Sequence, residues 1–387
     1  MYSIKLLSFR KGERRMPKNE VPVNQELDQY YEGMKEQNLG PLWYDLGHMV
    51  TKEPVHDVEP YLWKWKTIRQ YVLKAGELLK PGRDAERRVV YLQNPSLLKR
   101  GLVGYGTHTL YAGIQLLLPG ESAPSHQHSQ SAIRFVIEGD GAYTAVNGEK
   151  TYMERGDMIL TPAWTWHEHR HEGTEPMFWL DGLDVGLVKT MAASFFEPYE
   201  EESYPMAAPE NYSTKQFSMG AFKKLNETKT PGYPSPIFGY KFDRVKYLLD
   251  EMNESDYDPY DGYALEYINP TTGGSADSRI GTMMQKLKPG QRTKAHRHVH
   301  SAIFHVLEGT GYTVINGEKF EWEKGDFFIL PPWSLHEHVS TGEEDVFLFS
   351  FNDKPVMEKL ELEYCEAYEE NNGYQIVEKV FIPDITV

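Results

Sequence analysis

The sequence predicts an all-β chain folded as two barrels, and three observations carry that expectation. One block occurs twice: HQHSQSAIRFVIEGDG followed by NGEKTYMERGDMILTPAWTWHEH, then HRHVHSAIFHVLEGTG followed by NGEKFEWEKGDFFILPPWSLHEH. Self-similarity on this scale marks a duplicated structural unit. Both copies consist of short β-branched and aromatic runs cut by turn formers, the texture of antiparallel strands. Asn147-Gly148 and Asn316-Gly317 fall at matching places between such runs, where Asn-Gly favours a two-residue hairpin of the primed type. At 387 residues the chain has room for two ordinary cores.

In chain order, residues 1–23 read as disordered or as an over-extended start, because KGERR can be encoded by purine-rich codons resembling a bacterial ribosome-binding site ahead of Met16. Met1 and Met16 are thus alternative starts. Residues 24–104 read as a helical extension, since NQELDQYYEGMKEQ and TIRQYVLKAGELL have helical spacing more than alternation. The first barrel is expected over 105–188 and the second over 263–355. Between them, 189–262 is a linker: FFEPYEEESYPMAAPENYSTKQ is acidic and proline-containing, suited to an exposed connection that wraps a neighbour, and FDRVKYLLDEMNE has helical spacing. Residues 356–387 are expected to form a closing helix over VMEKLELEYCEAYEE, and a tail.

Bulk composition narrows the partners. With 57 acidic side chains against 41 basic, the net charge of -16 argues against nucleic acid and against an anionic membrane surface. A small neutral or anionic molecule remains compatible, because a few arginines can reverse the field inside a pocket. Cys365 is the only cysteine, so no intrachain disulfide can form and a reducing, cytoplasmic setting is expected. No run approaches the length of a membrane span, and no secretory leader is recognisable.

The histidines carry the chemistry. A strand throws alternate side chains to one face, so His126 with His128, and His296 with His298, each present two imidazoles together. His167 and His336 supply a third from another strand, each following a Gly-Asp turn and a proline that end the preceding one. A lone histidine is more often a surface or core residue; three at this spacing, written twice, point to metal. Imidazole suits zinc, copper, iron and nickel alike, and three neutral imidazoles leave coordination positions open.

The copies differ around the triads. Continuing the alternation beyond His128 places Gln130, Ala132 and Arg134 on the inward face of one strand. A guanidinium inside a barrel is costly unless paired, and its fork fits a carboxylate. Either an internal acid such as Asp181 or a substrate carboxylate balances it. The second copy has Phe304 and Ser350 at the places of Arg134 and Asp181, with His300 for Gln130. His169 is matched by His338 and reads as support for the ligands or as a proton relay. Tyr111, Trp164 and Trp166 are candidate walls for an aromatic substrate, although such residues are more often core.

The two blocks resemble the paired motifs of the cupin superfamily, small jelly-roll barrels, or double-stranded β-helices, with a metal at one mouth. The glutamate ligand usual in its first motif is replaced here by Ala132 and Ala302, which favours a three-histidine iron site and weighs against isomerase chemistry. HQHSQSAIRFVIEGDGAYTAVNGEKTYMERGDMILTPAWTWHEH resembles more specifically the first block of the gentisate 1,2-dioxygenase family, with its salicylate and 1-hydroxy-2-naphthoate relatives. ERRVVYLQNPSL, WLDGLDVGLV, FFEPY and YINPTTGGS extend the likeness from about residue 24 to 360. The resemblance implies Fe(II) held by His126, His128 and His167, and a substrate bound through its carboxylate and ortho-hydroxyl. It implies pocket residues at Gln115, Arg134, His169 and Asp181, with Arg83 or Arg87 from GRDAERR, and a homotetramer, with O2 and an aromatic hydroxy acid as substrates. Tyr111 stands where some relatives have Trp. The implied reaction inserts both oxygen atoms between the carboxyl- and hydroxyl-bearing ring carbons of gentisate, giving maleylpyruvate. The rivals are cleavage of salicylate or 1-hydroxy-2-naphthoate, and a non-catalytic bicupin of the storage or sensing kind.

Overall fold

The computed structural model describes residues 25–217 and 235–383; the expected disordered or over-extended start, with the choice between Met1 and Met16, lies outside the described residues. The chain divides into a unit ending at Val55 and a unit beginning at His56. The first holds the helices Gln25–Glu36 and Leu42–Met49, neither of which contains a buried residue.

The second unit contains two barrels, each of two sheets whose strands follow the sequence repeat. In the first barrel Tyr111–Leu117, Ala132–Glu138, Met158–Thr161 and Met177–Leu183 share one sheet. Ser122–His128, Ala142–Val146, Glu149–Met153 and His167–His171 share the other. The Asn-Gly turns are as expected: Asn147 and Gly148 have φ of 47° and 78°, and Asn316 and Gly317 have 48° and 79°. Positive φ at both central residues makes a turn whose twist matches that of the strands it joins. Inside the first barrel Leu117, Val136, Met153, Ile159 and Trp179 form a buried apolar cluster. Back to back, the six-stranded sheets stack Phe135 on Phe349 at 3.9 Å, within a core shared with Ile133, Ile303 and Phe351. Each such buried side chain contributes about 1.5–3 kcal/mol.

Three segments depart from the expectation. The extension is helical over Trp65–Leu78 and Pro95–Lys99, but it also gives each barrel an edge strand. Tyr61–Trp63 pairs with Phe327–Leu330 of the second barrel, and Val89–Tyr91 with Tyr111–Leu117 of the first. The linker wraps its own barrel: Phe196–Pro198 pairs with the strand bearing His126 and His128, and Gly239–Tyr240 with Met158–Thr161. The Phe242–Glu251 helix forms where its spacing places it. At the C-terminal end the helix is only Lys354–Lys359. Beyond it residues 360–361 turn the chain, 362–364 are irregular, and Cys365–Ala367 pairs with His296–His298. In every case an open sheet edge offered hydrogen bonds that local periodicity could not register.

Candidate metal centre and substrate pocket

His126 and His128 lie near the end of one strand and His167 opens its neighbour, with His126 and His167 directly opposite. The turn between Pro162 and His167 is tight. Trp164 adopts φ +60°, a left-handed conformation unusual for so large a residue, and its N–H donates to the His128 carbonyl at 2.8 Å. Trp333 repeats this at φ +54°, donating to the His298 carbonyl at 2.7 Å. The three rings approach with centroids 4.5–5.3 Å apart.

Each ligand ring is oriented by a partner on Nδ1. His128 Nδ1 meets the Gln130 carbonyl at 2.9 Å, His167 Nδ1 the Thr165 carbonyl at 2.9 Å, and His126 Nδ1 the Glu86 carboxylate at 2.7 Å. These oxygens accept, so Nδ1 carries the proton and the Nε2 lone pair is left for a metal. His167 Nε2 is buried with no protein partner. One potential ligand atom from each residue lies within 4.8 Å of the others, so a single ion with bonds of about 2.1 Å can draw on all three after slight adjustment. Burial lowers the pKa of every ring, His128 to about 4; Arg134 lowers all three further, and Arg87 lowers His126 and His128. The imidazoles are therefore neutral, as metal ligation requires.

The expected single strand from His126 to Arg134 is broken. Residues 129–131 turn the chain, and Ala132–Glu138 restarts in the opposite sheet. Gln130 leaves the pocket to donate to Ser194 Oγ at 2.9 Å. Arg134 nevertheless faces inward, directly across from Asp181 in the neighbouring strand. Its Nε lies 3.3 Å from Asp181 Oδ1, in poor hydrogen-bond alignment, and Nη1 donates to Thr161. Burial raises Asp181 to about 6 against the pull of Arg134 and of the Trp179 indole N–H, which donates to it at 3.0 Å.

His169 meets Thr144 Oγ1 at 2.9 Å through Nδ1, while its Nε2 and the Gln115 side-chain amide are buried and unpartnered. Arg87 belongs to the same field: it donates to the Pro124 carbonyl at 2.5 Å, and burial, with Arg134 nearby, lowers it to about 10. Arg83 is exposed and paired with Asp84 at 2.6 Å, so only Arg87 of the two is brought to the site. Tyr111 lies close enough to Asp181 to feel its charge, and its hydroxyl covers Gly113, where a Cβ would meet it at 2.4 Å. Trp164 is not core but an exposed rim residue packed on Phe195 at 5.4 Å; Trp166 packs on Tyr199 and Tyr204. Glu86, Thr144 and Phe196, whose ring lies 4.9 Å from that of His126, were not anticipated. Glu86, beside Arg87, and Phe196, in FFEPY, lie in segments that the sequence singles out.

The second triad has the same skeleton and different surroundings. His296, His298 and His336 also offer ligand atoms within 4.8 Å of one another. His298 and His336 are oriented by the carbonyls of His300 and Ser334, but His296 Nδ1 has only the Lys294 carbonyl nearby and no aligned hydrogen bond. Beneath them Phe304 stacks on Phe328 at 4.7 Å and packs against His338, filling the space that Arg134 and Asp181 occupy in the first barrel.

A cupin domain model matches residues 113–184 and 283–352. Gentisate 1,2-dioxygenase 1 of Aquipseudomonas alcaligenes is 39% identical over 339 residues, 87% of this chain and 95% of that protein. The chain belongs to the gentisate 1,2-dioxygenase family of ring-cleaving bicupins. Within the family, 5-aminosalicylate 1,2-dioxygenase of Comamonas sp is 36% identical over 91% of this chain and 93% of its own length. The structure of salicylate 1,2-dioxygenase from Pseudoaminobacter salicylatoxidans with gentisate superposes with TM-score 0.82 at 34% identity, covering 92% of this chain and 97% of that one. Family members thus share the bicupin fold while their named substrates differ in the ring group beyond the shared carboxylate and hydroxyl. Both histidine triads are of a kind that fits the metal dependence of such dioxygenases.

Proposed function

We propose that this protein is an Fe(II)-dependent gentisate 1,2-dioxygenase whose chemistry runs in the first barrel. The observation that carries the reading is the pairing, around one triad only, of two guanidiniums with buried polar groups that no protein atom satisfies. Arg134 and Arg87 supply a positive field beside the histidines. His169 Nε2 and the Gln115 amide are unpartnered in the interior. A buried polar group without a partner costs roughly 1–3 kcal/mol, so the pocket favours a substrate that brings oxygens to those groups.

His126, His128 and His167 would hold ferrous iron, which would supply Lewis-acid and electron-transfer chemistry toward the substrate and dioxygen. The chain's own residues do the rest. Arg134, tethered to Asp181 and Thr161, keeps its remaining N–H for the substrate carboxylate and sets the ring plane. His169, neutral because burial lowers its pKa, accepts a hydrogen bond from the phenolic O–H at Nε2. Asp181 and Gln115 meet the second hydroxyl, which salicylate lacks. The reaction consumes one O2, breaks the bond between the carboxyl- and hydroxyl-bearing ring carbons and places both oxygen atoms in maleylpyruvate.

Cleavage of salicylate or 1-hydroxy-2-naphthoate needs the same clamp, but leaves the second-hydroxyl partners unused, a loss that sites built on hydrogen bonds penalise strongly. A storage or sensing bicupin has no need of Arg134. The test is oxygen uptake by iron-loaded protein offered gentisate, salicylate, 5-aminosalicylate and 1-hydroxy-2-naphthoate in turn. Gentisate is expected to give the highest kcat/KM; uptake with none of them at full ferrous occupancy removes the dioxygenase reading.

A further inference from the structure

We propose that Arg279, carried by the second barrel, is a positioning residue for the histidine centre of the first. The segment Ser129–Gln130–Ser131 links the strand of His126 and His128 to the strand of Arg134, and its middle carbonyl accepts the His128 Nδ1 proton at 2.9 Å. Whatever holds this segment therefore aims His128. Arg279 Nη2 donates to the Ser129 carbonyl at 2.8 Å and to Ser131 Oγ at 3.3 Å, and its Nε pairs with Asp184 at 2.8 Å. Asp184 in turn accepts from the Ser131 N–H at 2.9 Å, and Asp277 accepts from Ser131 Oγ at 2.8 Å and from the Arg279 N–H at 2.8 Å. One guanidinium thus bridges the carbonyl before Gln130, the hydroxyl after it and a carboxylate that is 1% exposed.

The mirror contact shows that joining the barrels does not require this charge. By the repeat, Asp277 and Arg279 correspond to Thr107 and Thr109, which grip Ser301, the counterpart of Ser131. Ser301 N–H donates to Asp353 at 2.7 Å, Ser301 Oγ lies 3.0 Å from Thr107 Oγ1, and Thr109 Oγ1 donates to Asp353 at 2.6 Å. Hydroxyls suffice on the side of the second triad. On the side of the first a partly exposed guanidinium pairs with the buried Asp184, and what it adds is a direct hold on the backbone flanking Gln130. The second barrel therefore contributes to the first centre without touching its ligands.

The test uses full-length protein carrying His298→Ala, so that Co(II) binding reports on the first triad alone. Removing a support of a ligand histidine costs ten- to a hundredfold in metal affinity. Arg279→Met is expected to weaken Co(II) binding about tenfold or more, whereas Thr109→Val, which loosens the mirror contact, leaves it within about twofold. Arg279→Lys keeps a cation for Asp184 but cannot span Ser129 and Ser131; it is expected to fold normally and still bind Co(II) more weakly than Arg279, which decides the matter if the Met variant fails to fold. Unchanged affinity in both Arg279 variants, or an equal loss in Thr109→Val, overturns the proposal. Absence of binding in the His298→Ala parent overturns the metal reading itself, and is thereby distinguished from failure of the positioning role.

Discussion

The two barrels are copies of one frame with opposite interiors. Both carry three histidines in the same turns, down to the left-handed Trp164 and Trp333, and both set a further histidine on a threonine hydroxyl, His169 on Thr144 and His338 on Thr313. Below that layer they diverge. The first barrel spends its interior on Arg134 and Asp181, whereas the second, which keeps Gln285 at the place of Gln115, fills that volume with Phe304 stacked on Phe328. A ligand set can thus persist in a fold while the space for a substrate is closed, because imidazoles at a strand end and side chains deeper in the barrel are separate packing problems.

The sharpest way to break the comparison is to remove one ligand from each barrel. His128→Ala should lower kcat/KM by about a thousandfold or more with loss of metal from the first centre, since a ligand and the ring clamp go together. His298→Ala should leave turnover within about threefold, because no clamp surrounds that triad. Metal analysis and oxygen uptake on the two variants check both statements, and equal loss in both would show that the barrels act jointly. Next in size, Arg134→Ala should raise KM about a hundredfold while metal content is kept, from the loss of a charge-assisted hydrogen bond worth about 1.5–3 kcal/mol. Loss of metal instead would make Arg134 a structural residue.

A smaller effect separates the ligands' supports. Glu86→Gln should weaken metal binding by the first triad about tenfold, whereas the second triad, whose His296 lacks such a carboxylate, should be indifferent to it. Isothermal titration in the His298→Ala and His128→Ala backgrounds compares the two directly. The pH dependence of the metal-free protein tests burial in both barrels at once. Burial lowers His128 to about 4 and His296 to about 3. Between these values and the ordinary 6.5 the unfolded chain binds protons that the fold refuses. Stability from this source is full above about pH 6.5 and falls as pH drops, by about 1.4 kcal/mol per unit for each such histidine. Asp181 and Asp261, raised by burial to about 6, and Asp184, raised to about 7, act in the opposite sense above about pH 4, but the buried histidines with lowered pKa outnumber them. Thermal melts should therefore show Tm falling from pH 7 to 5, and a flat profile would mean the triads are open to water. Smallest of all, Arg83→Ala should change KM less than twofold, as an exposed pair contributes little.

Much of this was legible in the chain. The repeat, the Asn-Gly turns and the histidine spacing are local signals, set by the period of a strand and by backbone conformations that few residues adopt. The contrast of Arg134 with Phe304, and of Asp181 with Ser350, could be read as soon as the copies were aligned. Other features were illegible for a definite reason. Tyr61–Trp63, Phe196–Pro198 and Cys365–Ala367 are too short to show a period, and they became strands because a distant edge lacked partners. The break at residues 129–131 likewise interrupts no pattern in the sequence; it is made by Asp184, Asp277 and Arg279, which lie 50 to 150 residues away.

What the sequence by itself determined is which residues form each triad, which copy keeps a charged interior, and the family to which the chain belongs. These follow from spacing and from differences between aligned copies. Tertiary structure alone decided that Arg87 and not Arg83 reaches the pocket, that Glu86 holds His126, that Asp181 already shares Arg134, and that the second barrel grips the loop behind His128. Each of these depends on which distant polar groups become neighbours when water is excluded, and the partner that satisfies a buried charge is chosen by packing.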